Sequence, residues 1–584
     1  MRRVRPADRH LRLQVTMVVM LFVLTIFAGR LFQMQGLDAP EVAAKALLKR
    51  SATVELAAHR GDITDATGAQ LATTFDRRNV LVDQRLVGHY QRLGSDGRRV
   101  TVGVQGAAED LARVLNMPVD AVAAKLTGTS MGAYLVKDIP PDVAREVIRL
   151  PIPGIALEQA SRRIYPAGDT AANVLGFVSA TTGKAFGGVE GAFDSVLAGS
   201  PGSLRYEQGA DGTRIPTGIT QLDEPTPGRT VQLTLNRDLQ WKAQQLLEAS
   251  VATTGSESGS VVALDARTGQ VLALATAPTY DPNDPGKAPA DDRGDRPLLD
   301  VFEPGSTAKV ITLAAALEEK AATPLTKVTV PPLLKRADKT FRDAEAHGTE
   351  QLTVAGVLAQ SSNIGTILTG EKVPPATMFD YQRKFGLGSS TGIGLPESAG
   401  LLDPWQKWSG SQRYTVLFGQ GLAVTSLQAA SVFATIANDG VRIPPRLVAG
   451  ETDTNGVFHP AATPAGIRAV SPGTAQQMRL MMENVVGENG TAAKAEVPGY
   501  RVAGKTGTSQ ILGGRGGYTA SFIGMAPADN PSIVIAVILQ RPVNGHFGGQ
   551  VAAPVFQQLM TYALAERKVP PTGAKAPDIP LHWK

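Results

Sequence analysis

The first apolar run in the chain is Val15 to Ala28 (VTMVVMLFVLTIFA), and Arg2, Arg3, Arg5, Arg9 and Arg12 stand before it. Arg30 can snorkel, which extends the usable span to residues 13–33, near the roughly 20 residues that cross a bilayer. The arginines lie on one side only. Residues 1–12 are therefore expected as a basic cytoplasmic tail, with everything beyond about residue 35 outside the membrane. A cleaved signal peptide is the alternative. "IFAGRLF" is bulky and charged where a peptidase needs small residues, and this favours an uncleaved single-pass anchor. No later run is apolar and long enough to span.

Beyond the anchor the pattern changes twice. Residues 36–52 (with APEVAAKALLKR) read as a helical stalk, residues 53–228 then alternate short apolar strands with turns and polar helices, and 36–228 together are expected to form an extended α+β pedestal. Near PTPGRT (225–230) the composition shifts. Residues 231–240 read as a strand entering a helix, and 258–283 as a hairpin turning at Asp265–Gly269. Helical periodicity follows at 306–320, 353–360, 374–385 and 425–438. Strands return at 500–510, 518–527 and 532–542, before a last helix at about 551–566. Early strands, a central helical block and late strands predict one α/β domain over 229–566, with a mostly antiparallel sheet flanked by helices. The polar stretch 285–296 is expected to be a mobile loop near Ser306, and the Pro-rich tail 567–584 to be loose.

Composition narrows the function classes. With 43% hydrophobic and 19% charged residues in 584, a large core is available and wholesale disorder is excluded. The absence of cysteine removes disulfides, thiolate metal sites and a cysteine nucleophile. Seven histidines are scattered without metal-ligand spacing, so no metal or other cofactor is expected. Lys and Arg number 58 against 53 Asp and Glu, too small an excess for a dedicated nucleic-acid binder.

Candidate chemistry starts at Glu303-Pro-Gly-Ser-Thr-Ala-Lys309. Ser306 opens a helix, at the positive end of its dipole, and Lys309 follows one turn later on the same face. A buried lysine with a lowered pKa can take the hydroxyl proton. Read alone, Ser306 is equally an N-cap and Lys309 a solvated side chain. Ser361-Ser362-Asn363 adds a second hydroxyl and an amide on a tight loop, although "SSN" is also an ordinary turn or N-cap. Lys505-Thr506-Gly507-Thr508 lies in a run that reads as an edge strand, where Gly507 admits close backbone approach and Lys505 can meet a carboxylate. Gly499–Thr506 also matches the nucleotide-binding pattern GxxxxGK[ST]. It lacks the preceding buried strand and the following helix, so no nucleotide is expected.

S-x-x-K, then S-x-N, then K-T-G, in that order, resembles the serine acyltransferase set of penicillin-binding proteins and serine β-lactamases. The chain from residue 15 to 566 resembles a class B penicillin-binding protein. RGDITDATGAQLA (60–72), RRIYPAGDTAANVLGFV (162–178) and GGVEGAFDSVLAG (187–199) are similar to the pedestal motifs of that family, with Ala66 where a basic residue is usual. LDARTGQVLALATAPTYDPN (264–283), 418–440 and 548–559 are similar to its transpeptidase segments. The resemblance implies a dimerisation-type pedestal and a D,D-transpeptidase that crosslinks peptidoglycan stem peptides ending in D-Ala-D-Ala and is acylated by β-lactams. It implies Ser306 as nucleophile, Lys309 as base, Ser361 and Asn363 for proton relay and orientation, and Lys505, Thr506, Gly507 and Thr508 for binding the substrate carboxylate. It further implies backbone N–H groups of Ser306 and Thr508 as oxyanion donors, and a membrane glycosyltransferase and division-complex proteins as partners. A β-lactamase would need a deacylating carboxylate loop, a bifunctional enzyme a glycosyltransferase domain, and a β-lactam sensor several spanning helices. The form of RGDITDATG, the length and the single anchor favour a division role over a side-wall one.

Overall fold

A computed structural model of the protein describes residues 9–94, 97–209, 215, 217–488, 490–511 and 515–583. The chain forms two compact units, one of residues 1–59 with 200–226, the other of 60–199 with 227–584. In the first, a helical run Arg9–Leu37 is long and apolar enough to cross a membrane and is exposed along its whole length. Helix Ala39–Arg50 follows. Strand Ser51–Leu56 then pairs antiparallel with Gly202–Glu207, which pairs in turn with Thr220–Asp223.

The second unit begins with a lobe built on the long strand Gln70–Val82, paired with Ala133–Ile139 and Ile155–Ile164. It has its own core, including Val80, Leu111, Leu126, Leu135 and Val147. The three stretches singled out by sequence in this region meet at one buried carboxylate. Glu190, wholly enclosed, accepts from Arg60 Nε at 2.7 Å, from Arg163 Nε at 2.7 Å and from Tyr165 OH at 3.2 Å. A buried charge is tolerable only when paired in this way. Strand Thr230–Leu233 runs parallel to Ile63–Thr64 and antiparallel to Val448–Thr452, so it belongs to a sheet shared by early and late segments.

The remaining elements form an α/β domain. α1 (Arg237–Thr254) is N-capped by Asn236, and β1 (Ser258–Asp265) and β2 (Val271–Ala277) form the expected hairpin. Its turn is fixed by the Asp265 carboxylate, which accepts from the N–H groups of Arg267 and Thr268, and by Gly269 with φ 69°. Then come α2 (Lys309–Glu318), β3 (Glu350–Thr353), α3 (Val354–Ala359), α4 (Asn363–Gly370), α5 (Ser426–Ala437) and α6 (Pro472–Val486). The late strands are β4 (Ala503–Gln510), β5 (Tyr518–Ala526) and β6 (Ile533–Gln540), followed by α7 (Ala553–Glu566). The main sheet has the order β2-β1-β6-β5-β4, antiparallel throughout. α1 and α7 cover one face, and α5 packs on β1, β5 and β6. Every residue of β1 and β2 is buried, which is why these strands read as continuous apolar runs rather than alternating ones.

Two expectations are corrected. The stretch 285–296 is not a free loop: it makes two short 3₁₀ turns, and the Asn173 amide donates to Asp292 O at 2.7 Å and Gly294 O at 2.8 Å. The tail is not loose throughout either, because Leu581 and Trp583 are tied to the edge of β3. Hydrogen bonds to backbone groups from distant parts of the chain hold both segments, and these leave no trace in composition.

Candidate active site

Ser306 sits in a 3₁₀ turn, Gly305–Ala308, that runs into α2. Gly305, Thr307 and Ala308 are buried and Ser306 is partly exposed, so the turn presents the serine and hides the rest. The turn is fixed from outside: Gly305 N–H donates to Gly419 O at 3.0 Å, and Gly421 N–H donates to the Glu303 carboxylate at 2.8 Å. The Lys309 N–H donates back to Ser306 O, which places the lysine one tight turn beyond the serine.

Lys309 is completely enclosed. Its ammonium donates to Ser361 O and lies 3.2 Å from Ser361 Oγ. Lys505, equally enclosed, reaches the same Ser361 Oγ at 2.9 Å. Two lysines 196 positions apart in sequence thus share one hydroxyl. Ser361 has φ 62°, a left-handed conformation uncommon outside glycine. That turn lets its carbonyl and hydroxyl face the lysines while Ser362 caps α4, accepting from Gly365 N–H at 2.8 Å. The SSN segment is therefore both a turn and a helix cap. Asn363 is the first residue of α4, and its amide donates to Arg342 O at 3.2 Å.

β4 is the edge strand of the main sheet, as its sequence suggested, and it passes directly over the Ser306 turn. A Cβ on Gly507 would stand 3.0 Å from Pro304 O and 3.1 Å from Thr307 Cγ2, so only glycine allows this approach. Ser509 Oγ ties the two together by donating to Glu303 O at 2.7 Å. Both threonine hydroxyls are engaged, and Thr506 Oγ1 accepts from Lys505 Nζ at 3.2 Å. Thr506 Oγ1 pairs with Thr491 Oγ1 at 2.9 Å, and Thr508 Oγ1 accepts from Gly548 N–H at 3.2 Å. Past Thr506 the chain continues as strand, so the Gly499–Thr506 run does not have the loop-to-helix form of a phosphate cradle.

Sequence reading missed Asp343. Its carboxylate accepts from Ser362 Oγ at 2.6 Å, from the N–H groups of Asn363 and Ile364, and from His347 Nε2 at 3.1 Å. It holds the start of α4, and with it the S-x-N residues. The only sequence signal was an Asp some twenty residues ahead of the motif, within a polar stretch.

Burial pushes the Lys309 amine down to about 7, with the Asp343 carboxylate opposing the shift. Burial also lowers Lys505, and the neighbouring Lys309 lowers it further. Two enclosed amines on one hydroxyl cannot both hold a full charge cheaply, so they titrate as a coupled pair. Burial opposes a charge on His347 as well, but its contacts with Gly348 O and Asp343 outweigh this and raise its pKa. Among the described residues the site thus offers a partly exposed hydroxyl at a helix start, an amine able to lose its proton near neutrality, a hydroxyl within reach of both lysines and a strand edge with no partner strand.

Comparison with known proteins agrees. Residues 259–561 match the penicillin-binding protein transpeptidase domain, and residues 55–233 the penicillin-binding protein dimerisation domain. The chain is 35% identical to penicillin-binding protein PbpB of Mycolicibacterium smegmatis, over 97% of this chain and 91% of that one. It is 32% identical to peptidoglycan D,D-transpeptidase FtsI of Escherichia coli, over 96% and 92%. The crystal structure of penicillin-binding protein 3 of Mycobacterium tuberculosis complexed with ampicillin superposes with a TM-score of 0.71 at 31% identity, covering 91% of this chain and 100% of that one. With an S-x-x-K turn, an S-x-N cap and a K-T-G edge strand gathered in one domain behind a dimerisation lobe, the chain belongs to the class B penicillin-binding proteins, the peptidoglycan D,D-transpeptidases of the division type.

Proposed function

We propose that Ser306 is the acylated nucleophile with which this D,D-transpeptidase crosslinks stem peptides of the septal wall. The observation that carries the reading is the convergence of Lys309 and Lys505 on Ser361 Oγ, beside the turn that bears Ser306. A carboxylate binding at Lys505 holds the shared proton there and leaves Lys309 neutral. Lys309 then takes the Ser306 proton as Oγ attacks the carbonyl carbon between the two D-Ala residues. Negative charge on the carbonyl oxygen is met by the Ser306 and Thr508 backbone N–H groups, donors aimed where charge develops. The C–N bond breaks, and the proton returns through Lys309 and Ser361 to the departing D-Ala amine. Asn363 orients the peptide, while Thr506, Gly507 and Thr508 position the end of the donor. The amine of a second stem peptide attacks the ester carbonyl, its proton passes by way of Lys309 to Ser306 Oγ as the C–O bond breaks, and the crosslink forms with Ser306 restored. A β-lactam carbonyl follows the first half of this path and stays attached.

The domain plan belongs to the same reading: a cytoplasmic tail 1–12, a membrane helix 13–33, a pedestal 36–228, a transpeptidase domain 229–566 and a Pro-rich tail 567–584. The anchor and pedestal are the surfaces offered to a membrane glycosyltransferase and to division proteins, with the catalytic domain outside the membrane. Fluorescent penicillin tests the chemistry. It should label the protein covalently on a peptide containing Ser306, and Ser306→Ala should abolish labelling while keeping the fold, since one hydroxyl at a helix start is worth about 0.5–2 kcal/mol. Labelling of Ser306→Ala would move the nucleophile elsewhere.

A further inference from the structure

The C-terminal segment is pinned at two places. Tyr500 OH donates to Val569 O at 2.6 Å, residues 570–578 lie exposed, and Ile579–Trp583 then returns to the catalytic domain. There it pairs with the edge of β3 through a single antiparallel bridge. Thr353 N–H donates to Leu581 O at 2.9 Å, Trp583 N–H donates to Gln351 O at 3.1 Å, and Leu352 and His582 form an antiparallel bridge. Lys327 stands 4.7 Å from the centre of the Trp583 ring. Ile579 and Leu581 pack on the main core.

What this segment grips is α3, the helix that delivers Ser361. Thr353 Oγ1 donates to Pro580 O at 2.7 Å and accepts from Gly356 N–H at 3.1 Å, so one hydroxyl caps α3 and holds the tail. A Cβ on Gly356 would stand 2.0 Å from Leu581 O, so the tail backbone fills a notch that only glycine leaves open. At the far end of α3, the Gln360 amide donates to His582 Nε2 at 3.0 Å. The last carbonyls of α3, Leu358 and Val357, accept from Ser361 and Ser362 N–H at 3.2 and 3.0 Å. The seat of α3 therefore sets where Ser361 Oγ stands between the two lysines.

We propose that Ile579–Trp583 is a positioning strap for the S-x-N element, which holds α3 so that the Ser361 hydroxyl stays within reach of both Lys309 and Lys505. The proposal rests on the reading of Ser361 as the proton relay in acylation of Ser306. None of the strap residues is placed among the reacting groups. Their effect runs through Thr353, Gly356 and Gln360.

The test is the penicillin acylation of the full chain and of a chain ending at Asp578, resolved into encounter affinity and limiting acylation rate. Absence of labelling at Ser306 in the full chain would defeat the proposed function itself, whatever the strap does. If the full chain is labelled, the shortened chain should lose about ten- to a hundredfold in limiting rate, as expected for a displaced proton relay, with little change in encounter affinity. A synthetic peptide of residues 575–584 (KAPDIPLHWK) should restore the rate saturably. Gly356→Ala in the full chain should reproduce the loss, because its methyl displaces Leu581, and it should add nothing to the shortened chain. A shortened, folded chain with the full-length rate overturns the proposal, and so does a Gly356→Ala effect that persists undiminished after shortening. Should the shortened chain unfold, full-chain Gly356→Ala decides alone: folded with an unchanged rate, it refutes the strap.

Discussion

Lys309 carries the argument at the scale of single residues. An amine pushed down to about 7 is largely neutral just above neutrality, which a general base requires. Acylation should therefore rise with pH from the acid side and level off above about 7. The same shift makes folding release a proton. Between about 7 and the ordinary lysine value of 10.5 the unfolded chain holds a proton that the folded chain lacks, so stability rises with pH across that window. Asp343 works against the shift, which gives a prediction with a definite sign. Asp343→Asn removes the charge that favours the protonated amine, so the acid limb of the acylation profile should move to lower pH. The plateau should also fall, because an amide replaces one of the oxygens that hold Ser362, Asn363 and Ile364. Acylation rates from pH 5 to 9 for the two proteins check this. A lower plateau with an unmoved limb would confine Asp343 to holding α4.

Among secondary-structure elements, the decisive contact is that of β4 against the Ser306 turn. Gly507→Ala puts a methyl 2.3 Å from Ser521 Oγ and 3.0 Å from Pro304 O. The serine hydroxyl can rotate away, whereas the Pro304 carbonyl is backbone and cannot. The variant should lose about 1–3 kcal/mol from overpacking and about tenfold or more in acylation as the strand lifts from the turn. Ser521→Ala on top should recover part of the stability and little of the acylation, measured by thermal unfolding and penicillin labelling. Recovery of both would mean that the turn itself was undisturbed. This contact also marks how much the sequence reveals. The elements bearing S-x-x-K, S-x-N and K-T-G could be read from periodicity and turn residues, and the order of the motifs gave the chemistry. α6 was missed although Ser471 and Pro472 mark its start, because its Gln, Arg and Met positions give a weak apolar stripe. The left-handed Ser361, the Asp343 carboxylate under α4 and the tail on β3 are pairings between distant segments. No local pattern encodes them. Sequence placed the lysines in the site but gave no sign that both would close on a single hydroxyl.

For the whole molecule the question is where the polypeptide lies with respect to a bilayer. Apolar side chains project from every side of the Arg9–Phe32 helix, with Leu21, Phe22, Leu24, Ile26 and Phe27 all more than half exposed. A helix apolar all round is stable only when something apolar surrounds it, and no described residue of this chain does so. Each large side chain left in water forgoes about 1.5–3 kcal/mol. A bilayer would meet the need, and the excess of arginine ahead of the helix then predicts that the N-terminus faces the cytoplasm. The full chain should therefore stay with membranes through alkaline carbonate washing, and a chain lacking residues 1–35 should be released. Protease added to intact, wall-stripped cells should digest the chain beyond about residue 36 and leave a small protected fragment that carries the anchor. A soluble mature form beginning near residue 29 would instead make the helix a cleaved leader, and protection of the catalytic domain from external protease would reverse the orientation.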